Sequence, residues 1–161
     1  MRKLLLLLMV ISMIALVMKP GLAAEDQTSR QSKPELANVT IAPPDPQIEP
    51  DVRKFSGIWE GRWSNFPHCP QWHGLNAKMA IKSVVKDGEK YNATLTYAWG
   101  DSPEWHTKKG SSDYSGEIKK NDEGRWELFF KSPRRPFKFY FDKDSLFGVT
   151  GTSEATLRRI N

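Results

Sequence analysis

From Lys54 onward, apolar and polar positions alternate with a period of two. In Phe55-Ser-Gly57-Ile-Trp59-Glu-Gly61-Arg-Trp63 the odd positions are aromatic or glycine and the even ones mostly polar. One face of such a strand packs and the other meets water. Met79, Ile81 and Val85 share parity in the next run. Tyr91, Ala93, Leu95, Tyr97 and Trp99 do so after Lys86-Asp87-Gly88-Glu89, whose Asp-Gly pair is a strong hairpin signal. Then come Tyr114-Ser-Gly116-Glu-Ile118, the turn Asn121-Asp-Glu-Gly124, and Trp126, Leu128 and Phe130. Beyond Ser132-Pro-Arg-Arg-Pro136 lie Phe137, Phe139 and Phe141, the turn Asp142-Lys-Asp144, Leu146 to Thr150, and finally Ala155, Leu157 and Arg159.

The pattern predicts an all-β domain of eight strands, joined mostly by short loops and paired in sequence order as an up-and-down antiparallel meander. A flat sheet of this kind has no second layer for its aromatic face. Closing it into a barrel buries that face and removes both edges. Eight strands leave an interior just wide enough to be filled by side chains or to hold one small ligand. Gly57, Gly61 and Gly116 fit points where a strand bends sharply or a large neighbour crosses the backbone.

Upstream the alternation is absent. Arg2 and Lys3 precede an apolar run from Leu4 to Met18, followed by Lys19, Pro20, Gly21 and the small residues Ala23 and Ala24. This order reads as a secretory signal peptide over 1–24, cleaved near Ala23 or Ala24. The run is short of the roughly 20 residues that cross a hydrocarbon core, so no stable membrane insertion of the mature chain is expected. Residues 25–52 carry Pro34, Pro43, Pro44, Pro46 and Pro50 and no aromatic, the composition of a disordered or extended linker. The barrel domain is expected over 53–161.

Composition narrows the chemistry. The chain has 161 residues, a formal charge of +5 and one cysteine, which excludes an intramolecular disulfide framework and a thiolate-rich metal site. Three of the positive charges belong to the leader. The linker is acidic and the barrel mildly basic, without the clustered excess of a nucleic-acid footprint. The expected compartment is the periplasm or the outside of the cell. The expected partner is a small-molecule ligand or a cell-envelope protein, with no nucleic acid and no cofactor. Asn38-Val-Thr40 and Asn92-Ala-Thr94 are glycosylation sequons whose use depends on the secretory route.

Gly57-Ile58-Trp59 resembles the Gly-x-Trp of the calycin group, the lipocalins, avidins and fatty-acid-binding proteins. In that group the Trp closes one end of the barrel beneath a basic residue of the last strand. The resemblance implies that Arg159 covers Trp59, a cation–π contact worth roughly 0.5–2 kcal/mol that fixes the register of first and last strands. A closer likeness, over about residues 55 to 160, is to small exported bacterial domains. These combine Gly-x-Trp-x-Gly with a segment similar to Tyr97-Ala-Trp-Gly-Asp101 and a terminal motif similar to Ala155-Thr-Leu-Arg-Arg159. The chain departs from the lipocalins in lacking their C-terminal helix and disulfides, and Asp113-Tyr114 lies too early for their middle motif. Lipocalin-style ligand binding is what the resemblance implies.

Candidate chemistry gathers in two loops, at about 65–74 and 100–113. Both follow odd-numbered strands and so open at one rim. Trp72 and Trp105 place large apolar rings there and, with Tyr97 and His73, are the candidate ligand contacts. Asp101, Glu104 and His106 are an alternative acid–base set for a hydrolase or isomerase, although no nucleophile motif accompanies them. The bland account of Asp101 is a turn cap that accepts backbone N–H groups. His68, Cys69, His73 and His106 are the only soft ligands, and their spacing matches no metal motif, so no metal is expected. Trp59, Trp63, Trp99 and Trp126 have core parity. Lys131, Arg134 and Arg135 form a small cationic hairpin, expected at the opposite rim. The leading reading is a non-catalytic barrel that binds an amphipathic or apolar molecule, or a partner, through its loop rim. A further alternative is an inhibitor or adaptor module whose aromatic interior is plugged.

Overall fold

The computed structural model describes residues 32–64, 74–103 and 106–160. The signal-peptide reading of 1–24 and the start of the linker lie outside the described residues. Eight strands follow one another: β1 (Gly57–Ser64), β2 (Asn76–Asp87), β3 (Lys90–Trp99), β4 (Gly110–Lys120), β5 (Trp126–Lys131), β6 (Pro136–Asp142), β7 (Ser145–Thr150) and β8 (Ser153–Ile160). Each pairs antiparallel with the next, and β1 pairs with β8, giving a closed up-and-down barrel. The expected all-β architecture is therefore observed.

The seam between β1 and β8 aligns Trp59 with Arg159, Gly61 with Leu157 and Trp63 with Ala155. The Arg159 guanidinium carbon lies 4.4 Å from the centroid of the Trp59 ring. Its Nη1 donates to Ser56 O at 2.7 Å and its Nη2 to Lys54 O. The indole beneath is buried and donates from Nε1 to Phe55 O at 2.9 Å. Gly57 and Gly61 permit this seam. A Cβ on Gly57, whose φ is +133°, would strike the Arg159 guanidinium, and one on Gly61 would strike Thr156 O and Leu157.

Two expectations change. Val85 shares parity with Ile81 in the sequence, yet it is 61% exposed while Val84 is buried. The register shifts between Ile81 and Ser83. That bulge adds one residue and reverses which positions face inward. The second change concerns the linker. From Ser32 it is packed against the barrel, with Pro34, Ile48 and Val52 buried. Ser32 Oγ donates to Asp101 Oδ2 at 3.0 Å, and Ala42 N–H donates to Lys82 O, the carbonyl of the bulged residue, at 2.8 Å. A one-turn helix, α1 (Pro50–Arg53), then turns the chain into β1. The packed unit thus begins upstream of 53.

This strap seals the base of the barrel. Ile48, Val52 and Phe55 join Trp59, Met79, Ile81, Tyr91 and Leu146 in one buried cluster. Phe141 meets Phe55 and Trp59 edge-on at 4.8 and 5.5 Å, and Trp126 meets Tyr91 at 5.4 Å. Edge-to-face rings at these separations add to the apolar burial.

Candidate functional site

Among the described residues, the opposite end is not filled. A cavity of about 590 Å³ opens where β1, β3, β5 and β7 end, within the range of pockets that take one small ligand. Its apolar wall is Trp63, Leu75, Tyr97, Trp99, Tyr114 and Phe137. Ser112, Thr107, Ser132 and Thr150 supply hydroxyl groups, and His106, Lys108, Arg134 and Arg135 stand at the mouth.

Strand alternation sets the wall. Trp63, Tyr97, Tyr114 and Phe137 occupy inward positions on four different strands, and their rings hold one another. Tyr97 and Trp63 lie 5.4 and 5.6 Å from Phe137, and Tyr114 lies 5.1 Å from Phe130. Trp63 Nε1 donates to Tyr97 Oη at 2.5 Å. Burial pushes the Tyr97 phenol well above its ordinary value, against the smaller opposing effects of the Trp63 indole and the Arg135 charge. Tyr97 is therefore a neutral hydroxyl at the cavity floor. Trp99, expected in the core, is only partly buried and lines the cavity. It stacks on Tyr97 at 6.2 Å, and its Nε1 donates to Lys108 O at 2.7 Å. Gly110 pairs with Trp99 across β3 and β4, and a Cβ there would press on the indole.

Turn chemistry fixes the cations. Ser132 Oγ accepts the N–H groups of Arg134 and Arg135 at 3.3 and 3.2 Å and donates to Arg135 O at 3.0 Å. Pro133 follows it, the residue favoured at the second position of such a turn. This hairpin lines the same cavity as His106 and Lys108, not the opposite rim. It follows β5, and in a meander every loop after an odd strand opens at one end.

Of the remaining candidates, Tyr97 and His106 line the cavity. Trp72, His73 and Trp105 lie outside the described residues, as do Glu104, His68 and Cys69. Asp101 is not in the cavity wall. Its Oδ1 accepts the Lys109 N–H at 2.7 Å and its Oδ2 the Ser32 hydroxyl. These bonds, the backbone one foremost, hold its carboxyl below the usual range. That is a turn clasp which also ties down the strap. Sequence reading missed Tyr114, Phe137 and Ser112 as wall residues. Their inward parity was the available signal, but parity does not say which inward side chains meet another ring and which meet open space.

Comparison of the chain with protein-family models, curated proteins and solved structures returned no match.

Proposed function

We propose that this chain is an exported, non-catalytic barrel that binds a small amphipathic molecule in the cavity at its mouth, in the manner of calycin-type carriers. The observation that carries the reading is the asymmetry of the interior. The base is packed with Trp59, Phe55 and the strap, whereas the other half leaves about 590 Å³ beside Tyr97, Trp99 and Phe137. Rings already braced against each other lose little freedom when a ligand lies on them, which favours binding. The leader pattern supports export, and the Arg159–Trp59 seam supports the calycin likeness.

The cavity favours this reading over a fully plugged adaptor, and no observation favours the acid–base alternative, since both oxygens of Asp101 are engaged away from the wall. The test is a fluorescence titration with N-phenylnaphthylamine, a neutral apolar probe. Micromolar binding to the wild-type protein is expected, on the order of that seen for single small apolar ligands in preformed pockets. Loss of binding is expected in Ser112→Phe, which places a ring in the space. Equal binding by that variant, with an unchanged melting temperature, would show that the probe sits elsewhere.

A further inference from the structure

Three cations stand on the cavity mouth, and no carboxylate belongs to its wall among the described residues. Among the described residues Lys108, Arg134 and Arg135 form no ion pair there, whereas Lys109 beside them reaches Glu35 at 3.7 Å. Among the described residues, Asp101 is the carboxylate that feels the charge of Lys108, and it is already committed to Ser32 and the Lys109 amide. The backbone under each cation is pinned: Lys108 by the Trp99 indole, Arg134 and Arg135 by the Ser132 hydroxyl. Beneath them the wall is aromatic and the Tyr97 hydroxyl is neutral, so nothing described in the cavity repels a negative charge.

We infer that the ligand is a monomeric anionic amphiphile, with its apolar body along Tyr97, Trp99 and Phe137 and its carboxylate, sulfonate or phosphate head held by Lys108, Arg134 and Arg135. This rests on the ligand-binding reading above and adds the sign and position of the charge. Guanidinium forks bind such heads in paired hydrogen bonds. Because the cations are solvent-exposed, their pull weakens with salt.

The experiment compares two probes of one shape, anilinonaphthalene sulfonate and the uncharged N-phenylnaphthylamine, by fluorescence titration at low ionic strength. The sulfonate is expected to bind about tenfold more tightly, a preference that shrinks as salt is added. In the variant carrying Lys108→Gln, Arg134→Gln and Arg135→Gln, the ratio of the two affinities is expected to fall toward unity. Two results overturn the inference: equal binding of both probes by the wild-type protein, or a sulfonate preference that survives the triple substitution. In both of these the cavity reading stands. If neither probe binds, the cavity reading fails first and takes this inference with it. Displacement of the sulfonate probe by monomeric dodecanoate marks a free amphiphile as the source of the head group. Displacement by phosphatidylglycerol vesicles alone marks a membrane lipid and overturns the monomeric assignment.

Discussion

Arg159 lies over Trp59 at 4.4 Å while its two Nη groups bind the carbonyls of Ser56 and Lys54. One side chain thereby joins the last strand, the first strand and the end of the strap. Arg159→Met keeps a long apolar stem and removes the charge and both hydrogen bonds. It is expected to destabilise the protein by about 1–3 kcal/mol, with Arg159→Lys recovering only part. Denaturant unfolding measures this, and a loss below about 0.5 kcal/mol, the level of an ordinary surface change, would show that the seam closes without the lock.

Gly57 is coupled to the same contact. Its φ of +133° strains any other residue, and a Cβ there collides with the guanidinium. Gly57→Ala is expected to cost about 1–3 kcal/mol. Part of that cost should vanish when Arg159→Met removes the colliding group, giving a coupling of at least about 0.5 kcal/mol in a double-mutant cycle. Strict additivity would place the whole cost in the backbone.

The seam was legible in the sequence because period-two alternation fixes which face each residue takes, and Trp59, Leu157 and Arg159 carry that parity through both strands. The strap was less legible. Ile48, Val52 and Phe55 have the spacing of one helical face, with Pro50 at the first position of the turn, but three apolar residues at the end of a proline-rich stretch give a local signal weaker than the composition before them. The reversal at Val84 and Val85 was hidden for a different reason: a bulge is set by pairing with β3, not by anything within β2. Of the mouth cations, Arg134 and Arg135 lay in a hairpin already singled out, whereas Lys108 did not, and only a count of odd and even loops separates one rim from the other.

Tyr97 predicts an alkaline limit. Burial raises its pKa, so the stability that its neutral form lends is full below the ordinary value of 10.0 and is lost as pH climbs from there toward the raised folded value. One such proton contributes a slope of about 1.4 kcal/mol per pH unit. Tyr97→Phe leaves the Trp63 indole without its acceptor, costing about 1–2 kcal/mol near neutrality, and flattens the fall above pH 10 by that slope. Unfolding free energies across the alkaline range provide the check, and parallel curves for the two proteins would contradict it.

Asp101 predicts an acid response at the mouth. Its lowered pKa means that the clasp contributes above the ordinary carboxylate value of 3.8 and is lost as pH falls through the folded one. Asp101→Ala is expected to speed amide exchange at Lys109 on the order of tenfold at neutral pH, as local opening becomes easier. Exchange at Trp59, on the far seam, should not follow. Unaltered exchange at Lys109 would mean that the loop is held by other contacts.

The most direct test of ligand binding at the mouth is amide and side-chain chemical-shift mapping by NMR during titration with N-phenylnaphthylamine. The largest shifts are expected at Tyr97, Trp99, Ser112, Tyr114 and Phe137, with Trp59, Tyr91 and Phe141 at the sealed base unmoved. Shifts concentrated at the base, or spread over the outer strand faces with none at Tyr97 and Trp99, would contradict it.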